Sequence, residues 1–289
     1  MADVTQTPGG NPIPGATLAP PKKKRTHPFF AAFLPNQALS ANTLRVIIVI
    51  QIVAAIVIWM ASPYEVLPKP ADVWHAFVIL WKERGLATDL WVSFKLVLHA
   101  LLITVCIALL LSYFTVMPFY RPIAQAVSKM RYLSLVGFSF VFTLMGAGGY
   151  ALKLYMMVFG MTVFFITSMA SVVASIPKES FDHARTLRMS EWRVVWEVVI
   201  VGTADQAFEV MRQNAAIAWL MLTMVEGFVR SEGGLGVLLL TQQKYLKMDA
   251  IYAIQIVILL VALLQDYVIG VIRRLVCPYA DLTLERQGS

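Results

Sequence analysis

The stretch Phe181–Val199, FDHARTLRMSEWRVVWEVV, is a charged segment between two long apolar runs. Its apolar positions fit helical spacing in two sets, and the spacing breaks at Met189-Ser190. Ser190 suits the N-cap of the second set, and Glu191 suits the positive end of a helix. The pattern predicts two short amphipathic helices joined by a sharp turn at or below a membrane surface. On pattern alone, an interfacial connector and a docking device are equally good interpretations.

The composition places this segment in a membrane protein. Hydrophobic residues make up 58% of the 289 residues and charged residues only 14%. A soluble domain carries about 25% charged residues, so this chain has too little polar surface for a water-soluble fold of its length. The composition therefore predicts an integral membrane protein with one compact domain. The net charge of +7 is attributed mostly to the Lys and Arg residues that orient a membrane protein, and nothing in it requires a nucleic acid as a partner.

Six apolar runs are candidates for membrane-spanning helices, because a bilayer core needs about 20 mostly apolar residues. Backbone amides in lipid must be bonded internally, so the expected fold is all-α with about six transmembrane helices. The stretch between the first two runs predicts an interfacial helix over residues 71–81. The six predicted spans are Leu44–Ser62, Ser93–Val116, Tyr132–Gly148, Leu152–Ala174, Ala207–Val229 and Ala250–Ile272.

The distribution of Lys and Arg predicts the orientation. With the N-terminus inside, fifteen of the 24 Lys and Arg residues lie on the cytoplasmic side and seven outside. Both termini and the charged segment are then cytoplasmic. The predicted organisation has three parts. Residues 1–40 form a disordered cytoplasmic tail with a basic cluster, 41–275 the six-helix domain with its cytoplasmic loop at 175–204, and 276–289 a cytoplasmic C-terminal tail.

Four ordered segments resemble one family. ARTLRMSEWRVVWEVVI resembles the coupling loop of bacterial ABC importer permeases, in the branch for nitrate, sulfonates and taurine. LPKPADVWHAF, VMRQNAAIAWLMLTMVEG and SEGGLGVLL resemble that branch's outer segment, fifth span and glycine-rich outer loop. The resemblance runs from about Leu67 to the C-terminus and implies the type I importer permease fold.

The resemblance also implies a function and a set of partners. The chain would form the translocation path of an ATP-driven importer for a small solute, an anion or a nitrogen or sulfur compound, in the bacterial inner membrane. Its partners would be a second permease subunit, a cytoplasmic ABC ATPase and an external solute-binding protein. The sequence has no GxxxxGK(S/T) motif and no catalytic cluster, so ATP and Mg²⁺ would be used by the partner, and no catalytic residue, cofactor or metal site is expected in this chain.

The resemblance assigns ATPase coupling to the charged segment. The apolar anchors would be Phe181, Leu187 and Trp192, and charged residues around them would form a rim that selects the partner. The full set of predicted coupling residues is Phe181, Asp182, His183, Ala184, Arg185, Leu187, Arg188, Met189, Glu191 and Trp192.

This segment also departs from the family pattern. Asp182 and His183 stand where the family has Glu and Ala, Arg188 replaces the motif glycine, and the usual prolines near Val201 and Asp205 are absent. An arginine at that turn either strains the backbone or has been recruited to grip an acidic patch on a dedicated ATPase. These departures keep an alternative open, a non-transporting membrane scaffold or regulatory subunit that retains the permease fold.

The fifth predicted span carries unusual polar groups. Intramembrane charges are costly and usually face a cavity or a partner. Arg212 is expected to form a buried pair with Glu209, and Asp205 to lie among the headgroups. Glu226 is expected near an outer gate. The residues predicted for the translocation path or the dimer interface are Glu209, Arg212, Trp219 and Glu226. A separate expectation is that His99 makes a hydrogen bond between helices.

Overall fold

The computed structural model describes residues 41–61 and 67–278. The predicted tail over residues 1–40, and the C-terminal tail beyond residue 278, lie outside the described residues. Helices account for 86% of the described part of the chain, and that part contains no strand. Within residues 41–61 and 67–278, four helices are long and apolar enough to cross a membrane: Asn42–Met60, Leu86–Val116, Gly149–Ala174 and Met248–Val276. The described part therefore has the architecture of an all-α membrane protein.

The chain divides into two compact units, Met1–Pro63 and Tyr64–Ser289. The described part of the first unit is helix α1, Ala41–Met60. Its 20 residues are about 30 Å long, enough to cross a hydrocarbon core. This helix confirms the first predicted run as far as Met60.

The second unit contains the remaining helices. The helix predicted over residues 71–81 is confirmed as α2, and four of the other helices are longer than 20 residues. In chain order the α-helices are α2 (Pro70–Glu83), α3 (Leu86–Tyr113), α4 (Tyr120–Lys129), α5 (Leu135–Leu144), α6 (Gly149–Ala174), α7 (Lys178–Thr186), α8 (Glu191–Val194), α9 (Ala204–Phe228), α10 (Leu235–Lys244) and α11 (Met248–Val276).

The four long helices of this unit run between the same two ends. Helices α3 and α6 are parallel, because both finish at one pocket, near Thr115 and Ala174. Helix α9 is antiparallel to them, since its far end reaches the start of α3 through a hydrogen bond between Ser93 and Glu226. Helix α11 is antiparallel to α9, because Trp219 pairs with Gln265 and residue 205 of α9 pairs with residue 273 of α11. One end of these four helices carries the short helices α7 and α8, and we call it the hairpin end. We call the opposite end the glycine-loop end, after the glycine-rich segment SEGGLGVLL.

The core at the hairpin end is built from small and flexible side chains. Small alanines let helices approach closely, and methionine and phenylalanine fill the remaining space. This packing joins α3, α4, α6 and α9 close to the point where the chain enters α7. The buried cluster comprises Ala108, Ala124, Phe165, Ile166, Met169, Ala207 and Val210.

Two of the predicted spans differ from the structure. The run Tyr132–Gly148 forms only the ten-residue helix α5, about 15 Å long and half of a bilayer core. Extended residues at Leu133 and Ser134 precede it, and a turn at Gly146 follows it. The run 207–229 is helical within α9, but α9 is not among the helices apolar enough to cross alone. The charged residues of α9 lower its mean hydropathy, which is why it is not among those helices. The count of six spans remains a prediction.

Candidate functional site

The charged segment folds as two short helices joined by a sharp turn, as predicted. We call residues 178–201 the charged hairpin: α7, the turn, α8 and a π-helical segment, Val195–Val201. Ser190 is the N-cap of α8 with extended backbone angles, but its side chain makes no capping hydrogen bond. Along the chain, the hairpin follows α6 and is followed by α9.

The π segment changes which side chains the second arm buries. Val194 and Val199 are buried, at a spacing of five residues that matches the π-helical turn rather than the α-helical one. Trp192 and Trp196 therefore lie on the outer side, with 67% and 59% of their surface exposed. The spacing in the sequence had placed Trp192, Val195, Trp196 and Val199 on one apolar face. In the structure Val199 is buried, whereas both tryptophans are exposed.

Arg188 occupies a left-handed backbone position at the end of α7. Its φ angle is 56°. Its amide donates to the Arg185 carbonyl (2.9 Å), and the Met189 amide donates to the Ala184 carbonyl (3.4 Å), which is the hydrogen-bond pattern of a Schellman helix end. Glycine is favoured at this position because it has no Cβ, so an arginine here is conformationally strained. The turn therefore has the backbone conformation that glycine favours, although its residue is arginine.

The guanidinium of Arg185 braces the turn. Its Nε and Nη2 donate to the two carboxylate oxygens of Glu191, at 3.1 and 3.3 Å, and Nη1 lies 3.5 Å from Asp182. The hydrogen bond to Glu191 raises the pKa of Arg185 above its ordinary value, so the side chain stays charged. Because the paired contact joins α7 to α8, it fixes the angle between the two arms of the hairpin.

The predicted coupling residues separate into outward and inward groups. Leu187 and Trp192 are mostly exposed, as are the charged residues Asp182, Arg185, Arg188 and Glu191, although Leu187 also lines a cleft between the hairpin arms. Ala184 is buried, and Phe181 is only partly exposed because it lines a pocket near the ends of α3 and α6. The expected anchor at Phe181 is thus turned towards the protein body, and Trp196 joins the outward apolar set.

A cleft of about 640 Å³ lies between the two arms of the hairpin and extends to the end of α6 and the start of α9. His183 and Leu187 line it from α7 and the turn after it, Glu197 from the π-helical segment, and Thr203 and Gln206 from the start of α9. The two arms of the hairpin are therefore not fully packed against each other.

Five charged side chains join α9 to α11 at the hairpin end. Arg273 binds Asp205 (Nη2–Oδ2 2.9 Å) and Glu209 (3.1 Å), and Arg212 binds Asp266 (2.9 Å) and, more distantly, Glu209 (3.5 Å). The expected Glu209–Arg212 contact is present, but the expectation that it is buried is wrong. The Arg212 side chain is 38% exposed, because the cluster lies on the rim between the two helices.

The glycine-loop end holds a buried polar cluster, which we define as Asp89, Ser93, Lys153, Glu226 and the Gly233–Gly236 backbone. Glu226 is fully buried and accepts hydrogen bonds from the Ser93 hydroxyl (2.7 Å) and the Gly236 amide (2.6 Å). Ser93 Oγ accepts from the Leu235 amide (2.8 Å). Asp89 accepts from the Gly234 amide (3.0 Å). The cluster thus ties the loop before α10 to α3 and α9.

Lys153 of α6 completes this cluster, and sequence reasoning missed it. Its side chain is fully buried, and Nζ donates to the Gly233 carbonyl at 2.7 Å. The carboxylates of Asp89, Glu226 and Glu232 interact with it electrostatically. A buried cation is costly unless it is compensated. The available signal was a lone lysine at the start of the predicted span Leu152–Ala174, and it had been counted among the seven Lys and Arg residues outside.

The loop glycines are required by close contacts with Glu226. A Cβ on Gly234, whose φ is 116°, would lie 2.2 Å from Glu226 Oε1, and a Cβ on Gly236 would lie 2.8 Å from the Thr223 Cα. The backbone must be this close for its amides to reach the buried carboxylate. This requirement explains the glycines in SEGGLGVLL physically.

Two further predicted residues lie between helices. Trp219 is buried and donates from Nε1 to Gln265 Oε1 at 2.8 Å, so it joins α9 to α11 inside the chain rather than lying on a free surface. His99 of α3 lies 2.7 Å from the Tyr150 hydroxyl of α6, which confirms the expected hydrogen bond between helices.

Neither site resembles a metal centre. Within residues 41–61 and 67–278, no group of three His, Cys, Asp or Glu side chains is placed to hold a metal ion. No protein-family model matches the chain, and a comparison with curated proteins gives no match. Functional inference therefore depends on the two sites and on the resemblance in the sequence.

Proposed function

We propose that this chain is the membrane-spanning permease subunit of an ATP-driven importer and that the charged hairpin is its docking element for a cytoplasmic ATPase. The observation that carries the proposal is the exposure of Trp192, together with Leu187, next to the turn of the hairpin. Both side chains are mostly exposed, and the turn beside them carries the exposed Arg185–Glu191 ion pair. Large exposed apolar side chains with a polar border are typical of a protein interface, and burying each contributes about 1.5–3 kcal/mol.

The connections of the hairpin support a mechanical role. It joins α6 and α9 without an intervening loop, apart from the short turns at Ser175–Pro177 and Gly202-Thr203. A rigid-body shift of the hairpin therefore acts on both helices. Because a short helix in a partner's groove transmits motion of that partner, nucleotide-driven movement of an ATPase would reach the membrane domain along this route.

The buried polar cluster is the proposed latch at the opposite end. Helices α6 and α9 contribute Lys153 and Glu226, and these side chains hold the Gly233–Gly236 backbone. The two helices on either side of the hairpin in the chain therefore both contribute side chains to the latch. Movement of α6 relative to α9 would separate the groups that hold the loop, which would open the glycine-loop end.

The proposal includes the rest of the assembly. A second permease subunit would complete the translocation path, and an external solute-binding protein would deliver a small anion or a nitrogen or sulfur compound at the glycine-loop end. The hairpin end would face the cytoplasm of a bacterial cell, with the chain in the inner membrane. The charges support this orientation, because fifteen of the 24 Lys and Arg residues fall on the side assigned to the cytoplasm, and nine of them lie on the hairpin, on α4 and the turn after it, and at the end of α11.

A membrane scaffold or regulator is the second candidate, and Arg188 is the observation that favours it. The residue takes the left-handed conformation in which the resembling family has glycine. A chain released from selection for coupling would tolerate this strain. The two candidates differ in whether an ATPase binds.

Purification of the full chain from its native membranes separates these candidates. We expect an ATP-hydrolysing subunit to co-purify with the wild-type chain and to be lost from Trp192→Ala. Trp91→Ala is the matched control, because Trp91 is equally exposed, at 65%, but belongs to the glycine-loop end of α3. Absence of any ATPase from the wild-type preparation would favour the scaffold. Equal loss from both variants would contradict docking through the hairpin.

A further inference from the structure

A pocket of about 700 Å³ lies where the ends of α3 and α6 meet α4. Val116 and Ala174, the last residues of two membrane-length helices, both line it. Three cations contribute to the same pocket: Arg121, Lys129 and Arg131. We call it the cationic pocket. It adjoins the cleft of the hairpin, since Ile176 lines both, and shares no lining residue with the buried polar cluster.

The cationic pocket lacks compensating charge. No carboxylate lines it, and no ion pair among the described residues involves Arg121, Lys129 or Arg131. Arg212 of α9 and Arg273 of α11, at the same end of the unit, are by contrast each paired with a carboxylate. Three cations around one concavity repel each other, and an anion placed among them removes that repulsion.

Contacts within the chain orient the two guanidinium groups. Arg121 Nε donates to the Thr115 carbonyl at 3.1 Å, and Arg131 Nη2 donates to the Tyr132 hydroxyl at 2.9 Å. Arginine is suited to phosphate because its planar fork presents several donors to the oxygens. The pocket therefore offers the chemistry of a phosphate-ester site.

The position and the floor of the pocket identify the source of the phosphate. Val116, Ala170 and Val173 give it an apolar floor, and its place at the ends of two membrane-length helices is the level at which headgroups lie. Phe119 and Tyr132, which flank it in the chain, are 73% and 77% exposed, as aromatic residues at a membrane boundary are. Basic pockets between such helices bind acidic headgroups.

We propose that the cationic pocket binds the phosphate of an anionic phospholipid, with the acyl chains lying along α3 and α6. Phe181 of the charged hairpin forms part of the same pocket. A bound headgroup would therefore touch the hairpin, and lipid composition would influence the position of α7 relative to the helix ends.

The test is lipid binding to the purified full chain, measured by native mass spectrometry with phosphatidylglycerol and with phosphatidylcholine. The test variant carries Arg121→Gln, Lys129→Gln and Arg131→Gln. The control carries Lys82→Gln, Lys244→Gln and Lys247→Gln, which removes the same charge from exposed positions away from the pocket. Single Arg121→Gln and Arg131→Gln variants serve if the triple variant does not fold.

We expect the wild type and the control to bind phosphatidylglycerol at least about tenfold more tightly than phosphatidylcholine, since each cation near a headgroup favours the anionic lipid. The triple variant should lose this preference, and each single variant should lose part of it. Raising NaCl from about 50 to about 500 mM should weaken wild-type binding. An unchanged preference in the triple variant would overturn the proposal. Displacement of the lipid by about 10 mM inorganic phosphate would also overturn it, because the site would then be one for free phosphate.

Discussion

The Arg185 guanidinium spans the turn of the charged hairpin and donates two parallel hydrogen bonds to the Glu191 carboxylate, at 3.1 and 3.3 Å. This contact lies between the two arms of the hairpin, and both side chains are more than half exposed. The hairpin is therefore stabilised by a contact between its own two arms. Substitutions on its outer side should change docking without disturbing the core.

The first prediction concerns the strain at Arg188. Arg188→Gly should raise the free energy of unfolding by about 1 kcal/mol, because glycine adopts a φ of 56° without a Cβ penalty. If the arginine has been recruited to grip an acidic patch on the ATPase, the same variant should bind that ATPase more weakly, with the larger loss at low salt. Denaturation in detergent and a binding titration measure the two effects.

Leu246→Gly is the control for this prediction. Leu246 also has a left-handed backbone, with φ at 52°, but lies between α10 and α11 at the other end of the unit. Both variants should gain stability, and only Arg188→Gly should lose ATPase affinity. A stability gain without any loss of affinity would show that Arg188 is strained but not recruited.

The sequence was sufficient to predict the hairpin because its signals are local. The break at Met189-Ser190 interrupts helical spacing, and the structure ends α7 and begins α8 on either side of it. The π-helical segment was not predictable in the same way. Its register is set by burial of Val194 and Val199 against the rest of the unit, which no spacing rule for α-helices anticipates.

The second prediction concerns Arg212. The sequence favoured a buried pair with Glu209, whose loss would cost on the order of 3 kcal/mol. The structure shows a half-exposed side chain closer to Asp266 than to Glu209. We therefore expect Arg212→Ala to cost less than about 1 kcal/mol. Double-mutant cycles should give a larger coupling energy with Asp266→Ala than with Glu209→Ala, and the reverse order would contradict the observed geometry.

The third prediction concerns Glu226. Glu226→Ala leaves the Ser93 hydroxyl and the Gly236 amide buried without their acceptor, at a cost of roughly 3 kcal/mol. Glu226→Gln keeps one acceptor oxygen at the same place, so it should cost clearly less. Thermal melting of the purified variants provides the comparison. Equal losses would indicate that the carboxylate oxygens are not the groups that hold the loop.

The buried polar cluster shows the limit of sequence reasoning more clearly than the hairpin does. Glu226 was identified because a carboxylate in an apolar helix is conspicuous. Lys153 was counted among the seven outside Lys and Arg residues. Its burial could not be foreseen, because it depends on the Gly233 carbonyl, 80 positions along the chain. Likewise, apolarity alone extended the third predicted span over residues 132–148, although the helix covers only Leu135–Leu144. Hydropathy does not report where the backbone stops being helical.

The fourth prediction concerns orientation. In a chain whose two cysteines, Cys106 and Cys277, are replaced by alanine, Lys244→Cys should react with an impermeant thiol reagent in intact cells. Thr186→Cys should react only after permeabilisation. Both side chains are exposed, so their reactivity reports the side of the membrane. The opposite labelling pattern would place the hairpin outside and would remove the basis for coupling to a cytoplasmic ATPase.

The central claim is that the charged hairpin binds an ATPase through its outward apolar side chains. The most direct measurement places a photoreactive amino acid at position 192 in native membranes and identifies the cross-linked protein by mass spectrometry, with position 91 as the matched control. We expect position 192 to cross-link to a protein that contains a GxxxxGK(S/T) nucleotide-binding motif, and position 91 not to. Cross-linking from position 192 to lipid alone, or to no protein, would contradict the account.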